Sequence, residues 1–246
     1  MIIEVENVEV YYGAFKALGP VSLKVNEGRI AAVVGPSGCG KTTLLNVVAG
    51  IIEPSRGKVS LGGLSPREAW GRIAYVTQKL TLLPWKTALE NVALPCIIKG
   101  RPRSKCLRDA TEMLRAVGLE GHEGKYPSQL SGGMAQRVQL ARALMVEPEI
   151  MLLDEPFGAL DAYTRVEMQK LLLNLLQNRK ITTILVTHDV DEAITLSDVV
   201  FVMSSPPGRI VAEIYIELPR PRDPIRLRAE GLLDDYRRQI WNMLSR

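Results

Sequence analysis

Eight residues near the N-terminus have the types and spacing needed to bind phosphate groups. They run Gly35-Pro36-Ser37-Gly38-Cys39-Gly40-Lys41-Thr42 and match the pattern G-x-x-x-x-G-K-[ST]. Glycines let backbone N–H groups approach phosphate oxygens, and the start of a helix adds a positive dipole end. In this pattern Lys41 reaches the β- and γ-phosphates, and the Thr42 hydroxyl can bind Mg²⁺. The octapeptide therefore predicts a nucleotide site, although a glycine-rich turn can match the pattern by chance.

Two carboxylates, Asp154 and Glu155, follow an apolar run that predicts a buried strand over 150–153. Ligands of parallel sheets bind at the carboxyl ends of the strands. Asp154 could hold Mg²⁺ there through water, and Glu155 could polarise the attacking water as a general base. A solvated turn is the alternative, but a phosphate-binding loop in the same chain favours the catalytic interpretation.

A serine and two glycines, Ser131, Gly132 and Gly133, open a predicted helix over 132–145. The serine can cap this helix, and the glycines leave N–H groups free at its N-terminus. The segment therefore predicts a second anion site, with an ordinary helix cap as the alternative.

The elements that position these residues are predicted from apolar periodicity and from helix start and stop signals. Strands are expected over 2–10, 21–25, 29–34, 58–61, 72–76, 150–153, 182–186, 198–203 and 210–218. Helices are expected over 41–49, 87–98, 104–117, 132–145, 164–177, 189–196 and 226–244, with Thr87 and Ser104 as N-caps. This order predicts an α/β fold in which helices flank a parallel sheet and a helical insertion forms a separate lobe.

Composition sets limits on the class of protein. The 246 residues carry a net charge of +4, which does not indicate a nucleic-acid binder. The three cysteines have no disulfide-like spacing, which suggests a reducing compartment. We expect no signal peptide, because the N-terminus is acidic, and no membrane span, because no apolar run approaches 18 residues. Any membrane role is therefore expected to be indirect.

The segments LSGGMAQR, GPSGCGKT and LLDEP together resemble those of the ATP-binding cassette (ABC) ATPases of transporters. The resemblance covers about residues 1–216, although Met134 and Ala135 replace the commoner residues of the signature. It implies a P-loop NTPase with a RecA-like parallel-sheet core over 1–78 and 147–217, an N-terminal antiparallel β subdomain within that core, and an inserted α-helical subdomain over 79–146. Residues 218–246 would form a linker and a terminal helix that packs on its own domain, extends a dimer contact or carries regulation.

The resemblance also implies a role for each matching residue. The expected catalytic residues are Lys41, Gln78, Glu155 and His188, and the expected Mg²⁺ ligands are Thr42, Gln78 and Asp154. Tyr12 would stack on adenine, with edge-strand packing as its alternative role. The full set expected to bind ATP is Tyr12, Gly35, Pro36, Ser37, Gly38, Cys39, Gly40, Lys41, Thr42, Thr43, Ser131, Gly132, Gly133 and Asp161.

The resemblance also implies that two copies pack head to tail. Each ATP would lie between the phosphate-binding loop of one copy and Ser131–Gly133 of the other. Hydrolysis would remove this bridge and let the homodimer open.

Two further segments resemble the nitrate, sulfonate and taurine branch of importers. They are the segment 83–87 with 91–94, and the segment 206–210 followed by 218–221. The resemblance implies a peripheral protein at the cytoplasmic face of the inner membrane, which contacts permease subunits through residues 78–87 and a solute-binding protein only indirectly. Trp85 would anchor the permease contact, with burial between the two lobes as its alternative.

Other functions remain open at this point. A soluble ABC ATPase of chromosomes or ribosomes is disfavoured, because the insertion is too short for a coiled coil and the chain has one cassette. A binding module without hydrolysis is disfavoured by the presence of Gln78, Glu155 and His188. An export role is disfavoured because exporters often fuse this domain to membrane helices. The solute could be nitrate, a sulfonate, taurine, bicarbonate or a pyrimidine precursor of thiamine.

Overall fold

The computed structural model of the chain describes residues 1–245, except for the side chain of Asn178. The strands are β1 (Ile3–Tyr12), β2 (Phe15–Val25), β3 (Ile30–Val34), β4 (Arg56–Leu61), β5 (Ile73–Val76), β6 (Ile150–Asp154), β7 (Thr182–Thr187), β8 (Val199–Met203) and β9 (Ile210–Tyr215). The helices are α1 (Lys41–Val48), α2 (Ala88–Ile98), α3 (Arg103–Ala116), α4 (Gly132–Leu144), α5 (Ala162–Arg179), α6 (Val190–Leu196), α7 (Pro224–Ala229) and α8 (Asp234–Leu244).

The strands form two sheets, which confirms the predicted fold class. An antiparallel sheet has the order β2-β1-β4, and a six-stranded sheet has the order β5-β6-β7-β3-β8-β9. In the larger sheet β5, β6, β7, β3 and β8 are parallel, and β9 is antiparallel to β8. Helices α2, α3 and α4 lie in the stretch of chain between β5 and β6, where the helical insertion was predicted.

Both faces of the larger sheet are buried, which explains why residues 150–153 of β6 are all apolar. Ile150 and Leu152 pack in a core with α1 and the antiparallel sheet. Met151 and Leu153 pack in a second core with α2, α3, α4 and α5. A continuous apolar run is expected of a strand that is covered on both sides.

Of the three predicted N-cap residues, two are confirmed and one is wrong. The side chain of Thr87 caps α2 by accepting a hydrogen bond from the Glu90 N–H. The side chain of Ser131 caps α4 by accepting one from the Met134 N–H. Ser104 does not cap α3, because the helix begins at Arg103, directly after Pro102.

The single terminal helix predicted over 226–244 is also wrong, because the segment forms two helices, α7 and α8. Gly231, between them, has a φ of 68°, which is outside the helical region. The first helix begins earlier than predicted, because the Asp223 side chain accepts hydrogen bonds from the Ile225 and Arg226 N–H groups.

The terminal segment is held to the core by Arg222, whose side chain is buried. Its guanidinium donates to five backbone carbonyls, three of them at the end of α6, and they belong to Ile194, Thr195, Ser197, Ile216 and Leu218. Burial lowers the pKa of Arg222 to about 10, which leaves the group charged near neutral pH. A cation among the last carbonyls of a helix is favourable.

The prediction that the cysteines lack a disulfide is wrong. Cys96 of α2 and Cys106 of α3 form a disulfide, with their Cα atoms 5.6 Å apart. The sulfurs meet because α2 and α3 pack against each other, which ten residues of spacing did not reveal. Cysteine usage therefore gives no support to the inferred reducing compartment. Cys39 is free and buried.

Within residues 1–245, none of the helices combines the length and apolar character that crossing a bilayer requires.

Candidate nucleotide site

Four neighbouring parallel strands bring most of the predicted chemistry to one edge of the sheet. Their order is β5, β6, β7, β3. Gln78 follows β5, Asp154 and Glu155 end β6, His188 follows β7, and the glycine-rich loop follows β3. Because the carboxyl ends of parallel strands share an edge, residues far apart in sequence become neighbours.

The glycine-rich loop is closed on itself by Lys41. The buried Nζ of Lys41 donates to the carbonyl oxygens of Gly35, at 2.8 Å, and Pro36, at 2.9 Å. Gly40 precedes α1 with a φ of 98°, and a Cβ there would lie 2.6 Å from Cδ2 of Leu18. Only glycine combines this backbone angle with such a close approach. The first N–H groups of α1 thus point out of a compact loop with a fixed cation beside them.

Thr42 and Asp154 meet beside this loop. The Oγ1 of Thr42 donates to Oδ1 of Asp154 at 3.2 Å. Burial raises the pKa of Asp154, although the Thr42 hydrogen bond and the Lys41 charge oppose the shift. A hydroxyl and a carboxylate are oxygen donors of the kind that Mg²⁺ prefers, so these two residues fit the expected ion.

Glu155 contacts two of the other predicted catalytic side chains, Gln78 and His188. Its Oε2 accepts from Nε2 of Gln78 at 2.9 Å and lies 3.2 Å from Nδ1 of His188. Its backbone N–H donates to the Val186 carbonyl at 2.9 Å. Glu155 has a φ of 44°, a left-handed conformation that is strained for a residue with a Cβ. The surrounding bonds hold this carboxylate in place despite the strain.

A second acid, Glu192, lies behind this cluster and was missed in the sequence. It is buried in α6, and it lines a narrow cavity together with Glu155 and His188. Burial and the Asp189 charge raise the pKa of Glu192 to about 8, against weaker opposing effects of Thr187, Arg165 and Gln169. Among the described residues, its Oε1 has no hydrogen-bond partner. A lone glutamate in a short helix gave no signal for this environment.

Ser131 and Asp161 are helix caps on the exposed surface. Oγ of Ser131 accepts from the Met134 N–H at 3.3 Å, and Oδ1 of Asp161 accepts from the Thr164 N–H at 3.0 Å. Within the described residues, neither side chain joins the hydrogen bonds around Thr42 or Glu155. The structure therefore leaves the N-terminus of α4 outside the cluster formed by one chain.

Tyr12 is the last residue of β1, and 51% of it is exposed. It pairs across the hairpin with Phe15, an exposed aromatic that the sequence did not single out. The same hairpin reaches the glycine-rich loop, because Leu18 of β2 contacts Gly40. Phe15 could have been singled out in the sequence as an aromatic residue that follows Tyr12 after a short turn.

Trp85 is 70% exposed, so the alternative that it is buried between two lobes is wrong. Buried Asn91 of α2 holds the loop that carries it. The side-chain amide of Asn91 accepts from the Leu83 N–H and donates to the Leu83, Lys86 and Thr87 carbonyls. Asn91 had no predicted role beyond its place in a segment that resembles the importer branch.

Comparison with known proteins identifies the family. Residues 18–158 match the family described as ABC transporter. An uncharacterized ABC transporter ATP-binding protein of Methanocaldococcus jannaschii is 48% identical over 230 residues, which are 94% of this chain and 85% of that protein. The chain belongs to the ABC transporter family. It is an ATP-binding cassette with ATPase activity, as the signature segments predicted.

Relatives with assigned names include two import ATPases. An aliphatic sulfonates import ATP-binding protein of Bacillus cereus is 39% identical, covering 90% of this chain and 89% of its own length. The taurine import ATP-binding protein of Escherichia coli is 41% identical, covering 89% and 86%. A solved dimeric, post-hydrolysis ATP-binding cassette bound to ADP and Pi superimposes on this ABC ATPase with a TM-score of 0.78. It is 32% identical and covers 88% of this chain and all of the other.

Proposed function

We propose that this ABC ATPase drives the import of an oxyanion solute of the nitrate, sulfonate or taurine type. The observation that carries the hydrolytic part is the convergence of Gln78 and His188 on one oxygen of Glu155. The names of the sulfonate and taurine relatives support the import part.

Hydrolysis is assigned to residues at the shared strand edge. Glu155 polarises the attacking water, while Gln78 and His188 orient its carboxylate. Lys41 and the first N–H groups of α1 neutralise charge on the phosphates, and Tyr12 stacks on adenine. The loop residues 35–43 enclose the phosphates through their backbone.

Mg²⁺ would be held by Thr42 and Asp154, with the side-chain oxygen of Gln78 as a further ligand. The ion would supply charge neutralisation on the β- and γ-phosphates. The mutual hydrogen bond of Thr42 and Asp154 supports this assignment, because it places two oxygen donors beside the phosphate-binding loop.

The working unit is a head-to-tail homodimer. Ser131, Gly132 and Gly133 of one chain complete the ATP site of the other, and Asp161 lies at the junction. This arrangement is supported by the exposure of Ser131 and Asp161 and by the dimeric cassette that this chain resembles. Because the site in each protomer is incomplete, bound ATP contacts both protomers and holds them together.

The coupling surface is the segment 78–87, with Trp85 as its anchor for the permease subunits. The catalytic core comprises residues 1–78 and 147–217, and the helical subdomain comprises residues 79–146. Residues 218–246 form a terminal appendage. The protein sits at the cytoplasmic face of the inner membrane and reaches a solute-binding protein only through the permease.

The test replaces Glu155 by Gln, which keeps the shape of the side chain and removes its basicity. We expect the Glu155→Gln protein to bind ATP and to form an ATP-dependent dimer in size-exclusion chromatography. We expect its turnover to fall by about a hundredfold or more. Full turnover by this variant, or by a demonstrably monomeric wild type, would contradict the proposed mechanism.

The import part is tested in cells that lack the gene. Uptake of radiolabelled nitrate, taurine or an alkanesulfonate should be lost in these cells. Wild-type protein should restore it, and Glu155→Gln should not. Undiminished uptake of all three solutes in the deletion strain would exclude the proposed solute class while leaving the ATPase mechanism standing.

A further inference from the structure

A buried amide on α4, Gln139, bridges the base of the loop that carries Gln78. Its Nε2 donates to the Thr77 carbonyl at 3.0 Å, and its Oε1 accepts from the Thr81 N–H at 3.2 Å. Gln139 is 3% exposed. Thr77 and Thr81 flank Gln78 on its two sides, so one rigid amide holds both ends of the loop. The side-chain amide serves both contacts, because it offers a donor and an acceptor in one planar group.

Arg142, about one turn further along α4, also forms hydrogen bonds with the same loop. Its guanidinium donates to the Thr81 carbonyl at 2.8 Å and to Oγ1 of Thr81 at 2.6 Å. The backbone N–H, the carbonyl and the hydroxyl of Thr81 are thus all bonded to α4. The loop over 77–81 must therefore follow this helix when the helix moves relative to the sheet.

The same helix begins at the surface assigned to the partner's nucleotide. Ser131 caps α4, and Gln139 lies eight residues further along, a rise of about 12 Å in a continuous helix. At the other end of the connection, Gln78 donates to Oε2 of Glu155. A displacement of α4 relative to β6 would be carried through Gln139 to Gln78, and from there to Glu155.

We propose that Gln139 is a positioning residue for hydrolysis, which sets Gln78 against Glu155 according to the position of α4. This inference rests on the proposed roles of Gln78 and Glu155. It assigns no contact between Gln139 and the nucleotide. Loss of the Gln139 side-chain amide should therefore lower kcat while leaving the KM for ATP nearly unchanged.

The experiment measures steady-state ATPase kinetics of two variants. Gln139→Glu keeps the shape of the side chain and loses the donor to Thr77, and Gln139→Met removes both polar groups. We expect either change to lower kcat about tenfold, with the KM for ATP within about twofold, because a buried hydrogen-bonded amide is lost. The matched control is Gln177→Glu on α5, which should change kcat by less than about twofold.

A double-variant comparison separates positioning from general destabilisation. In a Gln78→Ala background, Gln139→Glu should lower kcat by less than about twofold, because both changes act on the same step. An equal fall in both backgrounds, or no fall in the wild-type background, would overturn the inference. If Gln78→Ala alone leaves kcat unchanged, the role proposed for Gln78 fails and the inference fails with it. If Gln78→Ala lowers kcat and the Gln139 variants do not, only the inference fails.

Discussion

At the scale of the residue, the clearest anomaly is a buried acid, Glu192, that the fold keeps neutral behind the cluster of Gln78, Glu155 and His188. The pKa of Glu192 is raised from its ordinary value of 4.5 to about 8, mainly by burial. Glu155 and His188 line the same narrow cavity, so a proton on Glu192 keeps a second negative charge away from Glu155. This environment makes a prediction about stability and pH.

Between about pH 4.5 and pH 8 the folded state holds a proton on Glu192 that the unfolded state has released. This residue's contribution to the free energy of unfolding is therefore full below about pH 4.5 and is lost as the pH rises through about 8. Glu192→Gln removes that dependence. Relative to wild type, its stability should increase by on the order of 1–3 kcal/mol between pH 5 and pH 8.5.

The measurement is thermal unfolding of wild type and Glu192→Gln across that pH range. Glu112→Gln, which makes the same change at an exposed glutamate of α3, is the matched control. A constant difference between wild type and Glu192→Gln would show that Glu192 is ionised in the folded protein.

How well each feature of this site can be predicted from the sequence depends on how far apart in the chain the residues that form it lie. Thr87 and Ser131 were found as caps because a cap is decided within four residues. Glu155 and His188 were found because each belongs to a family motif and follows the end of a predicted strand. Gln139 and Glu192 were missed, because their environments are made by chain segments that are distant in sequence.

At the scale of the element, the disulfide joins α2 and α3, the two helices that follow the Trp85 loop. Cys96 lies near the end of α2, the helix whose Asn91 holds the Trp85 loop. A cross-link over a sequence separation of ten residues should stabilise the folded chain by about 2–3 kcal/mol, chiefly by restricting the unfolded chain. We therefore expect reductant to lower the midpoint of thermal unfolding.

The Cys96→Ser/Cys106→Ser double variant provides the control for this prediction. It should unfold at the same temperature with and without dithiothreitol, and close to the reduced wild type. If the wild type is as stable with dithiothreitol as without it, the two cysteines are not linked in the protein.

The terminal helices show that apolar periodicity alone does not predict where a helix is interrupted. The apolar pattern over 226–244 continues through Gly231, so one helix was predicted there. The break depends on the backbone angle of Gly231 and on the packing of α8 against α6, which a helical pattern does not encode.

At the scale of the whole molecule, stability depends on cores that lie on both faces of the larger sheet, and the terminal segment is joined to them through Arg222. Lysine cannot reproduce the planar fork that serves several carbonyls at once. Arg222→Lys should therefore lower the free energy of unfolding by about 2–3 kcal/mol, because buried carbonyls lose their donors.

Urea unfolding of the full chain measures this effect. Arg238→Lys is the matched control, because Arg238 is largely exposed and, among the residues that the structure describes, makes only a long ion pair with Asp235. It should change stability by less than about 0.5 kcal/mol. Equal stability of Arg222→Lys and wild type would mean that the terminal segment is anchored by other contacts.

The left-handed backbone at Glu155 has a consequence for laboratory evolution. A glycine would adopt that conformation without strain, so the position proposed to supply the catalytic carboxylate is one where the fold would accept glycine more easily. Selecting variants for heat resistance alone would favour loss of this side chain. Any such screen of this protein should therefore keep a turnover requirement, or it will enrich robust but inert molecules.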